Sequence, residues 1–349
     1  MEWKKEEIKT DGYERVVYAE HQPSGMRGII AVHSTARGPA CGGLRMLPYA
    51  NREEALYDVL RLSQGMSYKS ALAGIGFGGG KSVLIGDPAK KTPAMLQAFG
   101  QFVESLGGKY IAAKDMNIDT LDLAEVRKTT NHVLGAEGQP GSGGDPSPLT
   151  AVGVFRSIEA AAETLFDSRQ LSGLKVSIQG LGHVGYDLAQ RLHRAGARLI
   201  VTDINPKAVE KARKELGAEV VDGEAIYDVT CDIYSPCARG ATLNVKTIPR
   251  LRCRAIVGCA NNQLEVEEDG YRLMERGVLY APDFAVNSGG IINVFCEYEG
   301  YDPKRAMTLA EKIYDTTREI LRRAASSGKP PFVVAEEVAK ERIRNPNLP

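Results

Sequence analysis

The sequence predicts an α/β protein of two domains, one of them a Rossmann-type, doubly wound parallel sheet, with an inter-domain cleft. Three observations predict it. Through the second half, short apolar runs alternate with amphipathic helical stretches, the rhythm of a parallel sheet. One of those junctions carries Gly180-Leu181-Gly182-His183-Val184-Gly185, a G-x-G-x-x-G turn between a strand and a helix. Residues 136–148 (AEGQPGSGGDPSP) crowd Gly, Pro and Ser into a linker between the halves. A length of 349 residues agrees with two domains of about 150 each. The expected division is residues 1–140 and residues 141–329, with a terminal helix near 330–349 packing back on the first domain.

Composition narrows the class. Hydrophobic residues make up 43% and charged residues 25%, ordinary for a globular protein. The formal net charge is zero, which gives no general attraction to nucleic acid or an anionic membrane. No apolar run reaches the roughly 18 residues of a membrane span, and the first residues do not read as a signal peptide, so a cytoplasmic protein is expected. The six cysteines form no C-x-x-C. Cys231 and Cys237, like Cys253 and Cys259, stand six apart with no histidine near, so no metal site is expected and reduced thiols are the default.

In the first half, residues 15–21 and 28–34 read as a hairpin, followed by a loop at 38–45 and a helix from about Arg52 toward Lys69. Next comes LAGIGFGGGKSVLIG (72–86), where a glycine run reads as a tight turn before Lys81 and an apolar strand. An amine between a glycine hinge and a dry strand is placed to lose its proton more easily than usual, and a neutral amine can act as general base or acid. The plain alternative is a solvated lysine on a turn. A P-loop is excluded, because the pattern needs glycine where Ile75 stands. A second helix around 95–106 leads to a short strand, 110–113, that ends in Lys114-Asp115-Met116-Asn117. Polar groups just past strand ends are common site positions, although Asp115 could equally cap a helix.

In the second half, a helix from about Thr150 to Leu165 precedes the strand 174–179, the glycine turn, a helix to about Arg194 and the strand 198–203. Gly180 makes the turn, Gly182 lets a pyrophosphate approach the helix N-terminus, and Gly185 permits close helix–strand packing. Asp203 can accept from both ribose hydroxyls and would repel a 2′-phosphate, so NAD is preferred over NADP. His183, inside the turn, reads as a solvated surface residue. Further strands near 231–234, 255–258 and 278–280 end in loops, among them Cys237-Ala238 and Asn261-Asn262, where such sheets bind ligands.

Assembled, these pieces resemble the glutamate/leucine/phenylalanine/valine group of amino-acid dehydrogenases, over nearly the whole chain and most closely the leucine type. The resemblance rests on Gly42-Gly43-Leu44-Arg45-Met46, Met66-Ser67-Tyr68-Lys69, Gly78-Gly79-Gly80-Lys81, Asp115, the glycine turn, Ser235-Pro236-Cys237-Ala238, Cys259 to Leu264, and Tyr280-Ala281-Pro282-Asp283 leading to Asn287-Ser288-Gly289-Gly290. It implies NAD-dependent, reversible oxidative deamination of an L-amino acid to a 2-oxo acid and ammonia. By the same resemblance, Lys69 binds the substrate carboxylate. Lys81, depressed by burial and by Lys69, handles water addition and carbinolamine breakdown, and Asp115 exchanges protons with the amine. Asn262 bridges the substrate and cofactor ends of the cleft, and Thr150 holds the nicotinamide carboxamide. A homo-oligomer is expected.

Glutamate-specific members carry a lysine where Cys41 stands and a serine where Val294 stands. Cys41, Ala113, Ile291 and Val294 would instead line an apolar pocket, in which an unpaired glutamate carboxylate would cost several kcal/mol. Leucine and its branched-chain neighbours are the expected substrates. Phenylalanine is the alternative, because Asn117 resembles the aromatic enzymes where the leucine type carries glycine. Two other readings are an oxidoreductase for 2-hydroxy acids, which would need no ammonia, and a non-catalytic NAD-binding redox sensor. The presence of Lys69, Lys81 and Asp115 at their motif positions argues against a dead site.

Overall fold

A computed structural model describes residues 2–139 and 141–348. The chain divides into two compact units. One comprises Met1–Gly144, Val294–Tyr301 and Ala339–Pro349; the other comprises Asp145–Asn293 and Asp302–Val338.

The first unit holds strands β1 (Trp3–Glu7), β2 (Arg15–His21), β3 (Met26–Ser34), β4 (Ala40–Leu47), β5 (Gly78–Ile85) and β6 (Tyr110–Lys114). Its helices are α1 (Arg52–Leu72), α2 (Pro93–Glu104) and α3 (Thr120–Arg127). The sheet order is β1-β2-β3-β5-β4-β6. β1, β2, β3 and β5 pair antiparallel, while β4 runs parallel to both β5 and β6. Alternation along β2 and β3 separates two apolar faces. Val16, Tyr18, Ile29 and Ala31 meet Ala55 and Val59 of α1, whereas Val17, Ala19, Ile30 and Val32 join the cluster of Leu96, Phe99 and Phe102 from α2. Asn51 caps α1 by accepting from Glu54 N, and Thr92 caps α2 by accepting from Met95 N.

Two expectations change here. Residues 40–45 are not a loop but part of β4, in the middle of the parallel pairing. The glycine run before Lys81 is a turn only at its start, where Gly74 has φ of 66°. Gly78, Gly79 and Gly80 are strand residues, and their missing side chains serve close packing. A Cβ on Gly79 would stand 2.1 Å from the Ser67 backbone nitrogen of α1, and one on Gly80 2.7 Å from the Tyr110 ring.

The carboxy-terminal helix α12 (Pro331–Arg344) adds its last residues to this unit. The buried Arg342 donates to the Ala71 and Leu72 carbonyls at the end of α1, and Arg37 donates to the Arg342 carbonyl at 3.0 Å.

The second unit begins with α4 (Ser147–Phe166) and continues with β7 (Lys175–Gln179), α5 (His183–Arg194), β8 (Arg198–Thr202), α6 (Pro206–Leu216) and β9 (Glu219–Val220). Then follow β10 (Ile233–Pro236), β11 (Ala255–Ile256), α7 (Glu267–Glu275), β12 (Leu279–Tyr280) and α8 (Asp283–Val286). Helix α9 (Gly289–Tyr298) leaves this unit after Asn293, and α10 (Pro303–Glu311) and α11 (Ile313–Ser327) return to it. All pairs in its sheet are parallel, in the order β12-β11-β10-β7-β8-β9. Its core gathers Val176, Ile178, Leu188, Leu192, Val201, Ile233 and Val257, each stabilising the fold by about 1.5–3 kcal/mol on burial. The helix expected over 304–325 is broken at Lys312, and Asn287-Ser288-Gly289-Gly290, expected as a loop, runs into α9.

Candidate active site

Three neighbouring strands bring the chemistry of the first unit together. Lys81 lies within β5, Arg45 on β4 and Asp115 just past β6. The register sets Leu44 beside both Ser82 and Lys114, so Arg45 and Asp115 are neighbours where the strands end. Lys81 is 6% exposed, and its Nζ stands 2.6 Å from Asp115 Oδ2. Arg45 Nε donates to the same oxygen at 3.0 Å. The other arm of Arg45 donates to Asp58 of α1, also at 3.0 Å, and Tyr49 donates its hydroxyl to Asp58 at 2.7 Å.

The two adjacent glycines of β4 make this possible. A Cβ on Gly43 would stand 2.5 Å from Asp115 Cβ, and one on Gly42 1.7 Å from the Gly80 carbonyl oxygen. With no side chain at Gly43, Asp115 crosses β4 to reach Lys81 on the far strand.

Burial lowers the Lys81 amine below its ordinary value, against the pull of Asp115, and Arg45 pushes further in the same direction. Arg45 is thus a cation that adds to the burial effect. Lys69 stands near the end of α1, two residues beyond the Ser67 against which Gly79 packs. Burial works to raise the Asp115 carboxyl, but Lys81, Arg45 and the Met116 N–H outweigh it and hold it low. The carboxyl is thus biased toward its ionised form, and the amine gives up its proton more readily than an ordinary lysine.

Beside it, Cys41 is fully buried, and burial pushes its thiol up to about 12, so it is a neutral apolar wall. Ala113 pairs with Gly43 across β4 and β6 and is buried. Val294 is half-buried on the part of α9 that belongs to this unit. Ile291, buried, lies on the part that belongs to the second unit.

Asn117 has φ of 61°, the left-handed region, and its side chain donates to the Met46 carbonyl at 3.0 Å. Glycine and asparagine are the residues that adopt this conformation most readily. Either residue therefore meets the demand of the backbone, and the exposed Asn117 lines an open surface pocket together with Lys114 and Asp115.

In the second unit, Gly180 has φ of +103° and ends β7. A Cβ on Gly185 would stand 2.1 Å from the Gly180 carbonyl oxygen, so α5 packs directly on the turn. Gly182 is exposed, and a Cβ there would meet nothing within 4 Å, so the helix N-terminus is open on that side. Asp203 accepts from Leu181 N at 2.5 Å and from Asn205 N at 2.7 Å, one bond to each oxygen, which leaves capacity for two hydroxyls. These features fit a dinucleotide. The Leu181 side chain belongs to the core, Val184 is half-buried against it, and His183 is 84% exposed beside Asp145.

Thr150, in the first turn of α4, donates to the Pro146 carbonyl. Gly289 packs against Leu149 and Gly290 stands near Thr150. Asn262 is exposed with φ of 51°, and Asp283 accepts from its backbone N at 2.9 Å. Asn287 donates to the Cys259 carbonyl at 3.0 Å and to Asn261 Oδ1 at 2.8 Å. Asp283 and Asn287 thus fix this loop. The sequence held both inside recognised motifs without showing their task. Arg45 was likewise visible in its motif, whereas Asp58 and Tyr49 gave no signal at all.

A glycine turn of this form above a strand-end acid, in a chain that also sets a buried lysine against an aspartate, is the arrangement of a nucleotide-dependent dehydrogenase, and the relatives of the chain agree. The model "Glu/Leu/Phe/Val dehydrogenase, dimerisation domain" matches residues 14–132, and "Glutamate/Leucine/Phenylalanine/Valine dehydrogenase" matches residues 199–343. The chain is 47% identical over 332 residues to leucine dehydrogenase of Thermoactinomyces intermedius, covering 95% of this chain and 91% of the relative. It is 45% identical over 342 residues to phenylalanine dehydrogenase of Bacillus thermotolerans, covering 96% and 90%. The crystal structure of L-tryptophan dehydrogenase from Nostoc punctiforme superposes with a TM-score of 0.89 at 42% identity, covering 96% of each chain.

The chain belongs to the Glu/Leu/Phe/Val dehydrogenase family of amino-acid dehydrogenases, whose members act on CH–NH2 groups with NAD(P). Among the described residues, no helix is long and apolar enough to cross a membrane, and no group of three or more His, Cys, Asp or Glu is placed to hold a metal.

Proposed function

We propose that the protein catalyses reversible, NAD-dependent oxidative deamination of an apolar branched-chain L-amino acid, leucine first, to the 2-oxo acid and ammonia. The observation that carries this reading is the ion pair of the buried Lys81 with the half-buried Asp115, in which burial lowers the amine and Lys81 and Arg45 hold the carboxyl low. Lys69 binds the substrate carboxylate as a fixed cation. Asp115 takes a proton from the substrate amine, and Lys81 as a neutral amine draws a proton from the water that adds to the imine. The same amine returns a proton as ammonia departs.

NAD, when bound, accepts the hydride from the substrate Cα. Gly180, Leu181, Gly182, His183, Val184 and Gly185 form the turn that would hold its pyrophosphate, and Asp203 its ribose. Thr150, Cys237, Ala238 and Asn262 would border the nicotinamide end. Asp203 favours NAD, because a 2′-phosphate would meet its charge. The apolar character of Cys41 and Ala113 supports an apolar substrate side chain and disfavours glutamate. An aromatic amino acid is the second reading, supported by likeness to the phenylalanine and L-tryptophan dehydrogenases. Assembly as a homo-oligomer and a cytoplasmic location belong to the same proposal. The name of the family model over residues 14–132 supports the first.

The test is NADH oxidation with ammonium and 4-methyl-2-oxopentanoate, phenylpyruvate or 2-oxoglutarate. Preference for the first supports the leucine reading, and preference for the second replaces leucine by phenylalanine. No turnover with any of the three, while NADH still binds, would overturn the catalytic proposal.

A further inference from the structure

The two six-residue cysteine spacings that match no metal site acquire a meaning in the parallel sheet. Ile233 pairs with Ala255 and Tyr234 with Ile256 across β10 and β11. Cys259 lies as far along the chain from Cys237, and Cys253 from Cys231, as those paired residues lie from each other. The register persists at the N-terminal ends, where Thr230 bridges Arg252, so Cys231 and Cys253 are neighbours there. At the C-terminal ends the ladder slips by one residue: Val257 N donates to the Tyr234 carbonyl, but it is Ala260 N, not Cys259 N, that donates to the Pro236 carbonyl at 3.0 Å. Cys237 and Cys259 nonetheless adjoin there, through the Cys259 thiol and the Cys237 carbonyl.

The C-terminal pair is built to react. Neighbouring strands lie about 4.8 Å apart, inside the roughly 4.4–6.8 Å range of Cα separations that a disulfide spans, and Cys237 and Cys259 follow two such strands. Both side chains pack on the same core cluster, so the thiols share one face of the sheet, and Cys259 Sγ stands 3.9 Å from the Cys237 carbonyl oxygen. All six cysteines are free. The Cys259 thiol and Ser235 together outweigh burial and hold the Cys237 thiol below its ordinary value. At the other end, Cys231 is buried and burial pushes it up, while burial and Cys231 push Cys253 up to about 12. One pair holds a thiol that ionises more readily than usual next to a second thiol, and the other does not.

Cys237 also touches the glycine turn. A Cβ on Gly185 would stand 3.3 Å from Cys237 Cβ, one on Gly180 3.0 Å from the Cys237 carbonyl carbon, and Cys237 N donates to the Gln179 carbonyl at 2.7 Å. We propose that Cys237 and Cys259 form a peroxide-responsive dithiol that closes to an intrachain disulfide against the glycine turn, and that closure weakens dinucleotide binding. The second half rests on the dinucleotide reading above.

The step balances. The Cys237 thiolate attacks one oxygen of hydrogen peroxide, the O–O bond breaks, and hydroxide leaves to give a sulfenic acid. The Cys259 sulfur attacks the sulfenic sulfur, the S–O bond breaks, and a second hydroxide leaves. The two thiol protons convert the two hydroxides to water. The thiols lose two electrons, and peroxide gains them.

The full-length protein is treated with hydrogen peroxide, alkylated under denaturing conditions, digested and weighed. The expected product is a peptide pair joined through Cys237 and Cys259, 2 Da lighter than the sum of the two and split by dithiothreitol, with Cys231 and Cys253 alkylated. In C259S, dimedone marks Cys237 instead. Titration with NADH, followed by its fluorescence, is expected to show at least a threefold rise in Kd for the cross-linked protein, restored by dithiothreitol. The absence of the cross-link, its appearance at Cys231–Cys253, or equal NADH affinity in both forms would overturn the proposal. If the reduced protein binds no NADH, the dinucleotide reading falls and takes the second half with it, while the peptide masses still decide the first.

Discussion

Asp115 meets Lys81 by crossing directly over Gly43, where a methyl group would stand 2.5 Å from Asp115 Cβ. G43A should therefore displace Asp115 without touching a reacting group. A misplacement of about 1 Å costs on the order of 10²-fold in rate. We expect kcat to fall about a hundredfold in G43A while NADH affinity, followed by fluorescence titration, stays within twofold. Full activity in G43A would mean that Asp115 need not occupy this position.

Lys81 is the group whose loss should be felt most in the chemistry. General acid–base groups contribute roughly 10²–10⁴-fold. K81A should lose about 10³-fold in kcat/KM for deamination and retain NADH binding. Removal of a buried amine that is costly to protonate should leave the thermal midpoint unchanged or higher.

The pH dependence has a defined sign. The Lys81 value in the folded protein lies below 10.5, so deamination kcat/KM should climb with pH and level off before that value. Arg45 helps to depress the amine, so R45Q should move the rising limb to higher pH. Asp115 behaves oppositely in stability. Its folded-state value is below 3.8, so its contribution is complete above that pH and is lost as pH falls through the lowered value. The stability gap between wild type and D115N, from urea unfolding, should be present at neutral pH and close in strong acid.

Asp203 should decide between the two dinucleotides. In D203S, the Kd for NADH should rise about tenfold, equivalent to ~1.4 kcal/mol. The preference over NADPH should narrow, because the repelling charge has gone. An unchanged NADH/NADPH ratio would remove Asp203 from this role.

Asn117 should prove silent on substrate choice. N117G keeps the left-handed backbone and loses only the bond to the Met46 carbonyl, a loss of about 1 kcal/mol in stability. The ratio of kcat/KM for 4-methyl-2-oxopentanoate and phenylpyruvate should stay within twofold of wild type. A larger change would restore position 117 as a specificity determinant.

The strands and helices of the parallel unit could be read from the sequence because each apolar run ends in a turn with its own chemistry, and the pattern between Leu174 and Asp203 needs no distant partner to be interpreted. The first unit is different. Residues 40–45 look like a loop, since Gly42 and Gly43 suggest flexibility in isolation. They are strand residues because β5 and β6 lie on either side and leave no room for side chains. The same blindness to distant partners hid Asp58 and Tyr49, whose roles exist only through Arg45. It also hid Arg45 as a cation acting on Lys81 across the sheet.

The first unit is assembled from three separated stretches, the last of them beginning at Ala339, and Arg342 in that stretch closes the end of α1. During synthesis, residues up to Gly144 leave the ribosome long before the segment that completes their unit. The lysine-bearing half therefore waits, unfinished, while the nucleotide half is made in between. A chaperone that holds nascent chains would find its longest engagement with the residues made first.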